Sequence, residues 1–159
     1  ENYGSLYNAA SNESPPMVHH IPKFMARKNA QKMALLVVDG LALDQWALLR
    51  ESLQRSDVAM VDSSKTTFAW VPTLTNVSRQ AIFSGKFPRQ FEETLGSTSK
   101  DAHHWQVFWK NQMRQPDEID YLLHEKNEDP QKYLTRLTEC AEHPRHKIIG
   151  VVVGRRWFF

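Results

Sequence analysis

Two residues of this chain have the types and the spacing of a reactive pair. Asp39 ends the apolar run MALLVVD, and Thr75 lies inside PTLTNVSRQAIFSGKFP, residues 72–88. A carboxylate at the end of a buried strand is costly unless it is paired, hydrogen-bonded or bound to a metal ion. A hydroxyl is a weak nucleophile until a metal or a base activates it. At the first turn of a helix it also gains a setting that favours anions, because free backbone N–H groups and about half a positive charge collect there. Ordinary roles compete with this chemistry. Asp39-Gly40 is a common turn pair, and a threonine in that place also serves as a helix cap.

The elements that must position these two residues follow from the pattern. Met33–Asp39 is apolar without alternation, as in a strand buried on both faces of a parallel sheet. Gly40 breaks it, Asp44 stands where an N-cap would, and Trp46, Leu49 and Leu53 recur at helical spacing to about Gln54. Val58–Val61 reads as a short strand, and Phe68–Val71 as a further candidate stopped by Pro72. Asn76–Ser84 reads as a helix with Val77, Ile82 and Phe83 inward and Gly85 as its C-cap. Lys100–Met113 carries the aromatic stripe Trp105, Phe108 and Trp109. Asp129-Pro130 opens a helix to about Ala141, and Lys147–Val153 is a last apolar strand. Strands alternating with helices predict an α/β fold, a parallel-sheet α/β/α sandwich. Asp39 and Thr75 are 36 positions apart, room for one helix and one more strand. Residues 1–31, polar and rich in Asn, Ser and Pro, read as an irregular lead-in or linker.

Bulk properties narrow the function classes. At 159 residues the chain is the size of one domain with one core. A net charge of +2 with interspersed signs leaves no electrostatic footprint for nucleic acid. The longest apolar runs fall far short of the roughly 20 residues of a membrane span. No signal peptide is visible and a single cysteine, Cys140, allows no internal disulfide, so the expected location is cytoplasmic. Cys140 itself reads as a small apolar residue on a helix face. The seven histidines read as solvated. His143 and His146 have a spacing that suits a metal, but the sequence shows no acidic complement near them.

VVDGL followed by PTLTNVSRQAIFSGKFP resembles the PglZ domain, a member of the alkaline phosphatase superfamily linked to bacterial phage-resistance (BREX) systems. Related members carry a threonine, serine or modified cysteine, two further positions, Ser-Arg, and then a small hydroxyl residue and Gly. Here these are Thr75, Ser78-Arg79 and Ser84-Gly85. The segment His104–Trp109 is also similar. The resemblance covers about residues 33–153 and implies an alkaline phosphatase-like fold with domain bounds 32–154. It implies a metal-dependent phosphoesterase in which Asp39 is a metal ligand, Thr75 the metal-bound nucleophile and Arg79 a contact for the substrate anion. It further implies a divalent metal cofactor, zinc first and manganese second. The partners it implies are a phosphate-ester substrate and other phage-defence proteins.

The superfamily draws further Asp and His ligands from later strand ends. Here the last strand runs into Gly154-Arg155-Arg156-Trp157, so the expectation is an incomplete, amino-terminal portion with an atypical tail at 155–159. Two alternatives stand beside the enzyme. One is an inactive remnant or protein-interaction module. The other is an unrelated nucleotide-binding domain, disfavoured because no glycine-rich phosphate loop follows the first strand.

Overall fold

The computed structural model describes residues 3–9, 13–28, 30–56 and 63–154. Eight elements carry the fold: α1 (Ile21–Ala26), β1 (Met33–Val38), α2 (Leu43–Arg55), α3 (Thr75–Ser84), α4 (Asp101–Lys110), β2 (Ile119–Leu123), α5 (Pro130–Glu142) and β3 (Ile148–Val153). The three strands form one parallel sheet in the order β1-β3-β2. This is the mixed α/β architecture expected of an alkaline phosphatase-like fold. The short strand read at Val58–Val61 and the tail at 155–159 lie outside the described residues.

The central strand explains why its sequence is unbroken apolar. Ile148 and Val152 enter a cluster with Phe83 from α3 and Trp105, Phe108 and Trp109 from α4. Ile149 and Val151, pointing the other way, pack with Leu122, Tyr133 and Cys140 beneath α5. Alternate side chains serve opposite layers, so both must be apolar. Gly150 sits between them for a steric reason. A Cβ there would lie 3.0 Å from Trp105 Nε1 and 3.1 Å from Tyr121. The aromatic stripe of α4 therefore rests directly on the backbone of β3, with Phe83–Trp105 and Trp105–Trp109 packed edge to face.

Several boundaries differ from the sequence expectation. Helix α2 begins at Leu43, with Ala42 at the N-cap and Asp44 inside the first turn. Gln45 accepts the Ala42 N–H at 3.0 Å and does the capping instead. Phe68–Val71 forms no strand but a single bridge from Phe68 to Met17, in which Val18 N donates to Phe68 O and Phe68 N to Pro16 O. That bridge recruits part of the segment read as an irregular lead-in. Met17 is 0% exposed, Val18 joins a cluster with Ala81 of α3 and Phe91, and α1 adds a helical turn with Pro22 at its start. The long aromatic helix is shorter than expected, and Ile119–Leu123 is a strand that periodicity did not reveal. Gly85 does close α3 in the left-handed region at φ 66°, where a Cβ would also meet Phe108 at 2.9 Å.

Candidate functional site

All three strands run the same way, so one rim of the sheet collects every carboxyl end. Such rims are where open parallel sheets gather reactive groups. Asp39 is the first residue past β1, and its N–H donates to Val153 O at the end of β3 at 2.9 Å. Gly40 then turns the chain away at φ 76°. The Asp39 side chain is half-buried and remains accessible.

Thr75 is the first residue of α3, one position past the N-cap residue Leu74, and no side chain caps this helix end. The Thr75 hydroxyl is exposed and donates to Asp39 Oδ1 at 3.4 Å. The helix thus presents its first N–H groups, which have no intrahelical partner, beside a hydroxyl and a carboxylate. Both side chains are hard oxygen donors, the kind that divalent ions accept. Two donors fall short of the about three that a catalytic ion takes from protein, so the remaining coordination has to come from other groups.

One turn along the same helix, Arg79 has a different setting. It is 8% exposed, and its Nη2 lies 2.7 Å from Asp101 Oδ2 at the start of α4 and donates to the Tyr121 hydroxyl at 3.2 Å. Asp101 is 1% exposed. Burial pushes its carboxyl up to about 6 while the Arg79 guanidinium and the Tyr121 hydroxyl pull it back down. Burial, and then the Asp101 charge, raises Tyr121 to about 12. The guanidinium therefore locks α3 to α4 and β2 and is not turned to solvent beside Thr75. Ser84, the hydroxyl of the Ser-Gly pair, is likewise internal and donates to Gln80 O at 2.6 Å. Asp101 carries no motif signal, since its partner is distant in sequence.

The histidines divide. His103 and His104 diverge, with rings 6.2 Å apart, and His104 faces Gln80 Oε1 at 3.3 Å. His19 is 3% exposed, which corrects the expectation of a solvated side chain. Burial first and the neighbouring His20 second lower it to about 4. His146 also departs from expectation, because Asp120 supplies the acidic complement its own segment lacks: Asp120 Oδ2 lies 3.5 Å from His146 Nδ1. Cys140 is buried as expected, and its thiol donates to the same Oδ2 at 3.0 Å. Among the described residues, only Asp120, Cys140 and His146 bring three such ligating side chains together.

Among the described residues no helix is long and apolar enough to cross a membrane. No curated protein matches the sequence. The parallel sheet with its helices agrees with the result of comparing the sequence with known families. It matches the BREX system PglZ alkaline phosphatase-like domain over residues 17–153, most of its length, and the chain belongs to that phosphoesterase-like family.

Proposed function

We propose that this chain carries the nucleophile rim of a metal-dependent phosphoesterase serving a bacterial phage-defence system. The single observation that supports this reading is the exposed Thr75 hydroxyl, 3.4 Å from the Asp39 carboxylate at the opening of α3. Asp39 and Thr75 would provide two of the donors for a divalent ion, with zinc the first candidate and manganese the second. Such an ion, when bound, lowers the pKa of a hydroxyl and offsets charge on phosphoryl oxygens.

The chain's own groups define the rest. Asp39 holds the Thr75 hydroxyl and keeps its oxygen facing the rim. The N–H groups of the first turn of α3 receive the phosphoryl oxygens as charge builds on them. The Thr75 O–H proton passes by way of Asp39 to solvent as Oγ1 bonds to phosphorus. The phosphorus–oxygen bond to the ester breaks and its alcohol leaves with a proton from water. A second water then cleaves the phosphothreonine, releasing the phosphate and restoring the hydroxyl. Arg79, through Asp101, fixes the helix that carries Thr75. It acts as a positioning residue.

The test is hydrolysis of bis-p-nitrophenyl phosphate and p-nitrophenyl phosphate with and without chelator. Expected are chelator-sensitive turnover, its loss in Thr75→Ala and a strong reduction in Asp39→Asn. Turnover that survives Thr75→Ala would refute the assignment. A folded chain with no turnover at any metal concentration would favour a protein-interaction module instead.

A further inference from the structure

We propose that Asp120, Cys140 and His146 form a zinc-binding site at the amino-terminal rim of the sheet, remote from Asp39 and Thr75. Asp120 is the second residue of β2, Cys140 lies near the end of α5, and His146 stands two residues before β3. The strands put these residues at one end of the sheet and Asp39 at the other. Six residues of β3 separate the two ends, about 20 Å of extended chain.

The geometry matches a tetrahedral ion. The three donor atoms form a triangle: Sγ to Oδ2 at 3.0 Å, Sγ to Nδ1 at 3.4 Å and Oδ2 to Nδ1 at 3.5 Å. Zinc bonded to sulfur, nitrogen and oxygen at about 2.0–2.3 Å sets neighbouring donors roughly 3.3–3.6 Å apart. Only a few tenths of an ångström of movement separates the two arrangements. A thiolate and a carboxylate supply two negative charges, matching a divalent ion, and sulfur with imidazole selects zinc over magnesium or manganese. The ion would replace the thiol proton now shared with Asp120, which leaves to solvent. It would also replace the His146 Nδ1 proton, now between Asp120 and the Cys140 carbonyl at 3.2 Å, which would move to Nε2.

The surroundings support such a site. Asp120 is held in place from both sides: its Oδ1 accepts the Tyr121 N–H at 2.7 Å, and its carbonyl accepts the Trp105 indole N–H at 3.1 Å. The His146 ring stacks on His143 with centroids 4.1 Å apart. A groove of about 270 Å³, lined also by Leu122, Arg136, Glu139 and His143, opens onto the three donors and leaves a fourth position to water. Arg136 at the groove is paired with Glu128, which leaves Lys32 as the opposing charge: its ammonium donates to the Ala141 and His143 carbonyls at the same rim. Two anionic ligands outweigh it. The bland alternative is a hydrogen-bonded cluster that needs no ion, and it predicts the opposite result below.

The experiment measures zinc retained by the full chain after exhaustive dialysis, together with titration by Co²⁺ followed by its thiolate charge-transfer absorption. About one zinc per chain is expected in Asp39→Asn, with loss of most of it when Cys140→Ser or His146→Gln is added to that background. The unmodified protein should hold at least as much, because its proposed Asp39 rim also takes zinc. The cobalt–thiolate band should appear in Asp39→Asn and vanish in Cys140→Ser. His146→Gln keeps the test decisive if Cys140→Ser does not fold. Absence of retained zinc together with absence of the cobalt band overturns the proposal, as does a zinc content of Asp39→Asn that adding His146→Gln leaves unchanged. Because Asp39→Asn is expected to keep its zinc, failure here and failure of the phosphoesterase reading are separable.

Discussion

Helix α3 carries two polar contacts on one face, four residues apart, and they differ in almost every respect. At Thr75 the contact to Asp39 is long, at 3.4 Å, and open to solvent. At Arg79 the contact to Asp101 is 2.7 Å, charged and buried. Residues four apart share a helix face, so the sequence alone does not separate them. The difference comes from what each meets: Thr75 faces the rim beyond β1, and Arg79 faces the start of α4 and the ring of Tyr121. An exposed, weakly tied hydroxyl contributes little to stability and remains accessible from solvent. A buried ion pair is costly to break from one side. One helix thus separates an open polar contact from a buried anchor over a single turn.

Substitutions can break or sharpen that contrast. The largest expected effect is on turnover: Thr75→Ala should lower phosphodiester hydrolysis by about 10⁴-fold or more while leaving the thermal midpoint within about a degree. A large fall in the midpoint would mean that the exposed end is also structural. Asp101→Ala should do the converse, costing about 3–5 kcal/mol in urea unfolding because it leaves the Arg79 charge buried and alone. A loss below about 1 kcal/mol would show that the pair is not dry.

Acidity gives a smaller effect. His19, held near 4 against 6.5 in the unfolded chain, favours the fold above 6.5, and that contribution is lost as pH falls toward 4. Between pH 7.5 and 5 it amounts to about 2 kcal/mol. Asp101 has the opposite sign: its folded value near 6 exceeds 3.8, so its contribution grows as pH falls through 6. The readout is therefore the difference between the unmodified chain and His19→Gln, whose stability should decline less on acidification. The smallest effect belongs to α5, outside both contacts. Asp129 accepts the Lys132 N–H at 3.1 Å, and Asp129→Ala should cost about 1 kcal/mol without altering turnover.

Much of the frame was legible because β1 and β3 are apolar runs and because Asp129-Pro130 and Gly85 punctuate helices by local rules. β1 nonetheless lies at the edge of the described sheet with Leu36 exposed, and is not buried on both faces as its sequence suggested. β2 was not legible. Asp120 and Tyr121 interrupt its apolar run, and it becomes a strand through pairing with β3, a long-range contact. The bridge that buries Met17 was hidden the same way, behind Pro15, Pro16 and neighbouring Asn and Ser. Asp39 and Thr75 stood out by residue type and spacing. The partners of Arg79 and His146 did not, since Asp101 and Asp120 reach them only through the order in which the strands assemble.

The indole of Trp105 lies against Gly150 and donates its N–H to the Asp120 carbonyl, while the Asp120 carboxylate faces the opposite layer. One residue of β2 is therefore shared between an aromatic chromophore above the sheet and a thiol below it. Light emitted by Trp105 comes from a dry interior and from a ring bonded to that shared residue. A movement of the Asp120 backbone would alter that indole hydrogen bond, so Trp105 emission, in a chain whose other tryptophans are replaced, is expected to respond to events on the far side of the sheet.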